Sequence, residues 1–206
     1  VRALKNSFAT TLLQTFAALA VSSIAGYGFE IYHDKAKDTV MAILMLAMMV
    51  PFVAVLVPLF QMFTKAKLIN SWTGFILPSI ATPFLIMYFR NSARSFPRDT
   101  LEAARIDGLN EFQIFIRMFI PMMKPTYASA ATITFMGAWN AYLWPKVVMQ
   151  TNEAITMPML VANTMGGYVI DYGVVMAAVT ICSLPTVIIF FCLQKSFTNA
   201  VAGAVK

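Results

Sequence analysis

The residues of this sequence that could carry out chemistry are few, and they form no catalytic pattern. The only histidine, His33, lies among charged residues, where an ordinary solvated role is expected. Cys182 and Cys192 are ten positions apart in one apolar run, so a helix would place them on different faces and neither a disulfide nor a metal site is expected. The Gly-x-x-x-x-Gly-Lys-Ser/Thr pattern is missing, so the chain cannot bind ATP by that route.

One short stretch does carry side chains suited to contact with a polar solute: Trp139, Asn140, Tyr142 and Trp144. Aromatic rings suit the apolar C–H faces of such a solute, and an amide suits its hydroxyl groups. The same aromatic residues could form an interfacial belt at the end of a membrane helix, or pack inside the protein, and these alternatives stay open. Gln14 and Gln61 are weaker candidates, explained equally well by hydrogen bonds between helices.

The composition indicates that a membrane protein must position these residues. Of the 206 residues, 59% are hydrophobic and 12% are charged, and the mean hydropathy is +0.72. A soluble domain carries roughly twice that charged fraction. The net charge of +6 is divided among short clusters between apolar runs, which favours membrane topology over binding to nucleic acid.

Five uncharged runs are long enough to cross a hydrocarbon core of about 30 Å. They are A (8–29), B (40–63), C (72–89), D (125–145) and E (173–193). Because lipid offers no partner to free backbone groups, the runs must be helical. We therefore predict an all-α integral membrane protein whose residues 1–206 form a single transmembrane domain. Since the runs contain no charge, a proton-coupled secondary transporter or a membrane enzyme is disfavoured.

Local composition refines this picture. Prolines inside three runs predict kinks, which favour a transport pathway but are also simply common in membrane helices: Pro51, Pro58, Pro78, Pro83 and Pro185. Run A is rich in small residues and should pack inside the bundle. The interrupted apolar stretch 154–170 is expected to be re-entrant or interfacial.

The charge distribution predicts the orientation. Ten Lys and Arg residues fall in the A–B loop, the C–D loop (90–124) and the tail, against five on the other side. The positive-inside rule therefore places the C–D loop and the C-terminus in the cytoplasm. The first residue, Val1, would then lie outside the cell, so we expect a further membrane helix to precede it.

The C–D loop is the longest polar interval and predicts two helices joined by a tight turn. Pro97 breaks the chain, Asp99 is the expected N-cap with Glu102 completing a capping box, and the helix should cover 101–107. Gly108 suits the position after the helix that needs a positive φ.

A second helix should follow Gly108 and lie across the membrane surface. Asn110 is its expected cap, with Gln113 as capping-box partner, and the helix should end near Pro121. Its apolar face is predicted from Phe112, Phe115, Ile116 and Phe119. In the first helix, the small residues Ala103 and Ala104 would suit docking in a groove of a partner, and an ordinary amphipathic surface helix is the alternative.

The sequence Glu102-Ala103-Ala104, followed after three residues by Gly108 and after nine more by Met118-Phe119-Ile120-Pro121, resembles the Glu-Ala-Ala motif of ABC-importer permeases. The spacing agrees throughout, with Met118 and Ile120 as conservative departures. Asp107 before Gly108 is similar to the carbohydrate subgroup. The stretch 139–145 and the tail 203–206 resemble maltose-type permeases, so the resemblance covers essentially the whole chain.

This resemblance implies the smaller permease subunit of a sugar importer. Glu102, Ala103, Ala104, Asp107 and Gly108 would form the coupling helix that docks on a separate ATPase dimer, and the tail 198–206 would also reach it. ATP and magnesium would bind that partner, and no cofactor would bind this chain. A second permease subunit and an extracytoplasmic solute-binding protein are the other implied partners, in a bacterial inner membrane. A permease for another solute, such as a phosphorylated polyol, is the alternative.

Overall fold

The computed structural model describes residues 1–166 and 170–203, which form α-helices joined by short turns. Helix α1 (Arg2–Ile31) contains run A. By length and composition, α1 and the first 21 residues of the last helix could each cross a membrane. Up to four crossings result within the described residues if each of two bent helix pairs counts as one span. The prediction of an all-helical fold is confirmed for this part of the chain.

Run B was expected to be one kinked helix, but it is two. Helices α2 (Lys35–Ala47) and α3 (Phe52–Lys65) meet at 102°. The break falls at Pro51, which cannot donate a helical hydrogen bond and disfavours the helical conformation of Val50 before it. Pro58, by contrast, lies within α3 without ending it.

Run C is also divided. Helix α4 (Trp72–Ile76) continues into a 3₁₀ turn at Leu77–Ser79, and α5 (Pro83–Ala93) follows at an angle of 50°. Pro83 occupies the first position of α5, where its missing N–H costs no hydrogen bond. The predicted proline kink is therefore present as a joint between two helices.

Run D ends earlier than predicted. Its helix is α9 (Lys124–Trp139), because the C–D loop before it contains α6 to α8, which are described with the functional site. Helix α9 stops at Asn140, and the short helix α10 (Leu143–Val148) carries Pro145. The stretch predicted to be re-entrant contains the eight-residue helix α11 (Met157–Thr164), which is too short to span a bilayer. Run E lies in α12 (Tyr172–Gly203), which passes Pro185 without a break.

The centre of the bundle is the packing of α1 against α5 and α9. Ala18, Phe89 and Ala130 are completely buried where these helices meet. A Cβ on Gly26 would lie 2.6 Å from the Cβ of Phe89, so only glycine allows the two backbones this close. The prediction that the small residues of run A pack inside the bundle holds for one face of the helix: Ala18, Ser22, Ser23 and Gly26 are buried, whereas Ala17, Ala20, Ala25 and Gly28 are only partly buried.

Polar contacts gather at the two ends of α1. At one end, Glu30 pairs with Arg90 at 3.4 Å and with Arg94 at 3.5 Å, and Asp38 pairs with Arg90 and with His33. His33 is exposed, as expected, and its Nε2 also lies 2.9 Å from a carboxylate oxygen of Asp38.

At the opposite end of α1, Arg2 approaches Glu153. Nearby, Asn70 joins two loops: its N–H donates to the carbonyl of Val148, and its Oδ1 accepts from the N–H of Gln150. The loops that the charge count assigns to one side therefore share one end of the molecule.

Candidate functional site

The predicted docking helix is present and is named α6 (Arg98–Ile106). It ends in a tight turn in which Gly108 has φ +81°. The N–H of Gly108 donates to the carbonyl of Arg105 at 3.1 Å, and the N–H of Leu109 donates to that of Ala104 at 3.0 Å. This pair of bonds is the Schellman arrangement, so the predicted positive φ of Gly108 after the helix is confirmed.

The start of α6 differs from the prediction. The capping position is taken by Pro97, and no side chain caps the helix. Asp99 lies inside the first turn instead, where its negative charge favours the positive end of the helix dipole. The proposed capping box between Asp99 and Glu102 is therefore wrong, because the helix begins at Arg98, three residues before the expected start at Leu101.

The second helix begins as predicted, with a complete capping box between Asn110 and Gln113. Helix α7 (Glu111–Ile114) passes through a wider π turn at Phe115–Phe119 into α8 (Ile120–Met122), which ends close to the predicted Pro121. Pro121 cannot donate to a carbonyl in the preceding turn, and the wider turn accommodates its ring.

The two helices share a buried face that holds them to α1. Ile114 and Phe119 are completely buried. The ring of Tyr27, on α1, meets the rings of Phe115 and Phe119 edge to face at 5.3 and 4.9 Å. Leu101 and Ala104 of α6 belong to the same cluster. These helices, α6 to α8 (98–122), are called the docking element below. On this side the docking element is packed against the membrane helices.

The outer face of the element differs from the sequence prediction. Phe112 and Ile116, predicted to share the apolar face, are exposed, because only Phe115 and Phe119 turn inward. Ala104 is 3% exposed and packs inward, so of the two alanines only Ala103 faces outward. The open surface of α6 includes Glu102, Ala103 and Ile106, the last of which is 86% exposed.

A shallow groove of about 370 Å³ lies beside α6. Its lining comprises Asp99, Thr100, Ala103, Ala104, Asp107, Leu109 and Met118. Three of the five predicted docking residues thus border the groove, and Glu102 lies on the open face.

A polar network ties the docking element to the end of α1. The Nε of Arg105 donates to Oε1 of Glu111 at 2.8 Å across the Gly108 turn. The hydroxyl of Tyr27 donates to Oε2 of the same carboxylate at 3.5 Å. Burial and a hydrogen bond to Glu111 raise the pKa of Tyr32. Glu111 therefore connects both docking helices to α1.

The predicted solute-contact residues separate into two pairs. Trp139 is 1% exposed and its Nε1 donates to the carbonyl of Cys182 at 2.9 Å. Trp144 is 7% exposed and its Nε1 donates to the carbonyl of Gly74 at 3.1 Å. Both indoles are packed within the protein, as in the packing alternative that the sequence left open.

Asn140 and Tyr142, by contrast, line an open cavity of about 370 Å³ between the end of α9 and helices α11 and α12. The other lining residues are Pro158, Val161, Ala162, Met165, Val179, Cys182 and Ser183. None of these lining residues is charged. Of the weaker candidates, Gln14 is buried on the packed face of α1 and Gln61 is exposed elsewhere.

Residues 8–203 match the model of a protein family, whose description is "binding-protein-dependent transport system inner membrane component". The chain belongs to this family. The resemblance drawn from the Glu-Ala-Ala motif is therefore confirmed, and the chain is an inner-membrane transport subunit, a permease.

Two curated relatives of the permease align along nearly its entire length. The lactose transport system permease protein LacG of Rhizobium radiobacter is 41% identical over 201 residues, which cover 98% of this chain and 74% of the relative. The arabinooligosaccharides transport system permease protein AraQ of Bacillus subtilis is 35% identical, over 98% of this chain and 72% of the relative.

A solved structure supports the fold of the permease. A chain from a bacterial ABC transporter involved in the import of the acidic polysaccharide alginate superposes with a TM-score of 0.84. The match covers 94% of this chain and 74% of that chain at 22% identity, so it establishes a shared fold and nothing further.

Sequence reasoning missed three residues at the site of the permease. Ile106 lies inside the Glu-Ala-Ala motif and was not singled out. It is four residues after Glu102, so it shares the face of Glu102 and points away from the buried Leu101 and Ala104. Glu111 and Tyr27 gave no local signal, because 84 positions separate them in the chain. The predicted contact by the tail falls on residues 198–206, whose side chains lie outside the described part of the chain.

Proposed function

We propose that this permease is the membrane subunit of an ATP-driven importer that moves a neutral sugar or related polyol into the cytoplasm. A separate ATPase dimer would bind ATP and magnesium and dock on α6. A second permease subunit would complete the pathway, and an extracytoplasmic binding protein would deliver the solute. The loop 90–124 and the C-terminus would face the cytoplasm.

One observation carries the docking part of this proposal. The outer face of α6 leaves Ile106 almost fully exposed, while its inner face is packed on the membrane helices. Large exposed apolar residues on a rigid element are typical of contact surfaces for a partner. Glu102 and Ala103 would contact the ATPase beside it.

Replacing Ile106 with serine tests this docking. The substitution removes an apolar anchor without touching the buried face, so we expect ATPase affinity in detergent to fall about tenfold. Ile116→Ser is the matched control, since Ile116 is also exposed but lies outside the α6 face. Equal ATPase binding by both variants would exclude α6 as the docking helix.

The nature of the solute is proposed from three observations. The two relatives named above are permeases for lactose and for arabinooligosaccharides. The predicted spans carry no charged side chain that would pair with an anionic solute, and the cavity at Asn140 and Tyr142 has an uncharged lining. An aromatic ring and an amide at its edge suit a neutral sugar.

A solute panel on the cognate binding protein, followed by uptake into proteoliposomes, tests the solute class. We expect binding and uptake of a neutral di- or oligosaccharide. Binding of a phosphorylated polyol alone would instead support the alternative.

Tyr142→Ala should lower the uptake rate without changing the amount of assembled complex. Tyr172 is an exposed tyrosine outside the cavity, so Tyr172→Ala should leave uptake unchanged.

A further inference from the structure

Helix α1 has polar anchors at both ends, and these anchors join the two candidate sites. We infer that α1 transmits displacement of the docking element to α11, the helix that walls the cavity. Tyr27 and Glu111 would be the positioning residues at the docking end, and Ser7 and Asn6 those at the cavity end. This inference rests on the proposed docking at α6.

The docking end is fixed by packing and by charge together. Tyr27 is 5% exposed, between Phe115 and Phe119, and its hydroxyl reaches Glu111. Glu111 also holds Arg105, so the α6–α7 pair and α1 share one carboxylate. A shift of α6 would therefore pull on α1 through Glu111.

The cavity end is held by two side chains of α1. The backbone N–H of Met157, the first residue of α11, donates to Oγ of Ser7 at 2.7 Å in a buried position. The Nδ2 of Asn6 donates to the carbonyls of Glu153 at 2.8 Å and Ile155 at 3.0 Å. The segment leading into α11 is thus tied to the start of α1.

The part of α1 that lies between these anchors is stiff. Ser7 and Tyr27 are twenty positions apart, about 30 Å along a helix. No proline interrupts α1 between its ends, and Gly26 brings its backbone against that of α5. Displacement at Tyr27 would therefore move Ser7 rather than bend the helix.

The cavity wall is the receiving element. Pro158, Val161 and Ala162 of α11 line the cavity opposite Cys182 and Ser183 of α12. Because the N-terminus of α11 is bonded to Ser7, movement of α1 would alter the gap between these two walls. The solute cavity would in this way respond to the ATPase without touching it.

A double-mutant cycle on the reconstituted complex tests the inference. The measured quantity is solute transported per ATP hydrolysed, for Tyr27→Phe, Ser7→Ala and the double variant. Each single change deletes one hydrogen-bonding group and should lower this ratio about threefold to tenfold. The double variant should be no worse than the poorer single one, because one transmitting element is broken either way.

Matched controls separate transmission from ordinary structural damage. Tyr88→Phe keeps an aromatic ring on α5 that packs on Phe89, and Ser129→Ala removes a buried hydroxyl that bonds only within α9. Both should leave the ratio unchanged. If Ser7→Ala lowers the yield of folded complex, Asn6→Ala replaces it in the cycle, since Asn6 is only half-buried.

The outcomes are distinct. Sites this far apart normally contribute independently, so a ratio for the double variant equal to the product of the single effects would overturn the inference. Unchanged ratios in both single variants would overturn it too. Failure of the docking proposal would appear elsewhere, as normal ATPase binding by Ile106→Ser, whereas failure of transmission alone leaves that binding defect intact.

Discussion

Two glycines of α1, two residues apart, differ in what surrounds them. A Cβ at Gly26 would lie 2.6 Å from Phe89 Cβ and 2.7 Å from the backbone N of Arg90, whereas a Cβ at Gly28 would meet nothing within 4 Å. Gly26→Ala should therefore separate α1 from α5 and destabilise the protein by about 1–3 kcal/mol. Thermal unfolding in detergent measures this.

Gly28→Ala is the matched control for that substitution. It adds the same methyl group in open space and should be neutral or stabilising by up to about 1 kcal/mol, since alanine favours the helix. Similar melting temperatures for the two variants would show that the close approach of α1 and α5 is not the constraint at Gly26.

Two arginines contact the same carboxylate but differ in burial. The side chain of Arg90 is 7% exposed and pairs with Glu30 and Asp38, while that of Arg94 is 61% exposed and pairs with Glu30 alone. Arg90→Met leaves the partly buried Glu30 without its inner partner and should destabilise the protein by about 3 kcal/mol. Arg94→Met should cost about 1 kcal/mol or less.

Chemical unfolding of the two arginine variants, followed by intrinsic fluorescence, checks this ranking. A loss in Arg94→Met as large as that in Arg90→Met would mean that burial does not decide the strength of the contact with Glu30.

At the scale of elements, the docking element depends on the turn between α6 and α7. Gly108 holds φ +81°, which a β-branched residue strongly disfavours. Gly108→Val should disturb the turn by about 1 kcal/mol or more and reduce solute-stimulated ATP hydrolysis, while membrane insertion stays normal.

Gly137→Val on α9 is the control for the turn, because a Cβ there meets nothing within 4 Å and φ is not positive. ATP hydrolysis assayed with and without the loaded binding protein gives the comparison. Unaltered stimulation in Gly108→Val would remove the turn from the coupling mechanism.

The charge network of the docking element predicts how the stability of the protein depends on pH. Burial alone would raise the pKa of Glu111, but hydrogen bonds from Tyr32 and Arg105 outweigh it, and the pKa is lowered. A lowered pKa means that this carboxylate stabilises the fold above its unfolded value of about 4.3, and that the contribution is lost as the pH falls through the folded value.

We therefore expect the melting temperature to be insensitive to Glu111 between pH 8 and roughly pH 5, and to fall below about pH 4. Glu111→Gln should flatten the acid limb of this curve relative to the wild type. Identical acid limbs for wild type and Glu111→Gln would contradict the assignment.

The two ends of the entire molecule should lie on opposite sides of the membrane. Asn152 and Ser95 are both exposed and belong to opposite ends. With Cys182 and Cys192 replaced by serine, Asn152→Cys should react with a membrane-impermeant maleimide in intact spheroplasts, and Ser95→Cys only after permeabilisation, because of the positive-inside bias. The reverse labelling pattern would invert the orientation.

The sequence alone determined the class, the family and the local geometry of the docking turn. Charge-poor runs require helices in lipid, and the cap at Asn110 and the turn at Gly108 depend only on residues a few positions apart. The break at Pro51 is local in the same sense, because proline acts on its own backbone and on the residue before it.

Only the tertiary structure decided which faces are buried and which residues meet. Ala104 turns inward and Ile106 outward, Trp139 and Trp144 are packed while Asn140 and Tyr142 are open, and Tyr27 reaches Glu111 across the fold. The physical reason is that helical spacing defines a face, whereas the partner that covers it comes from a distant part of the chain.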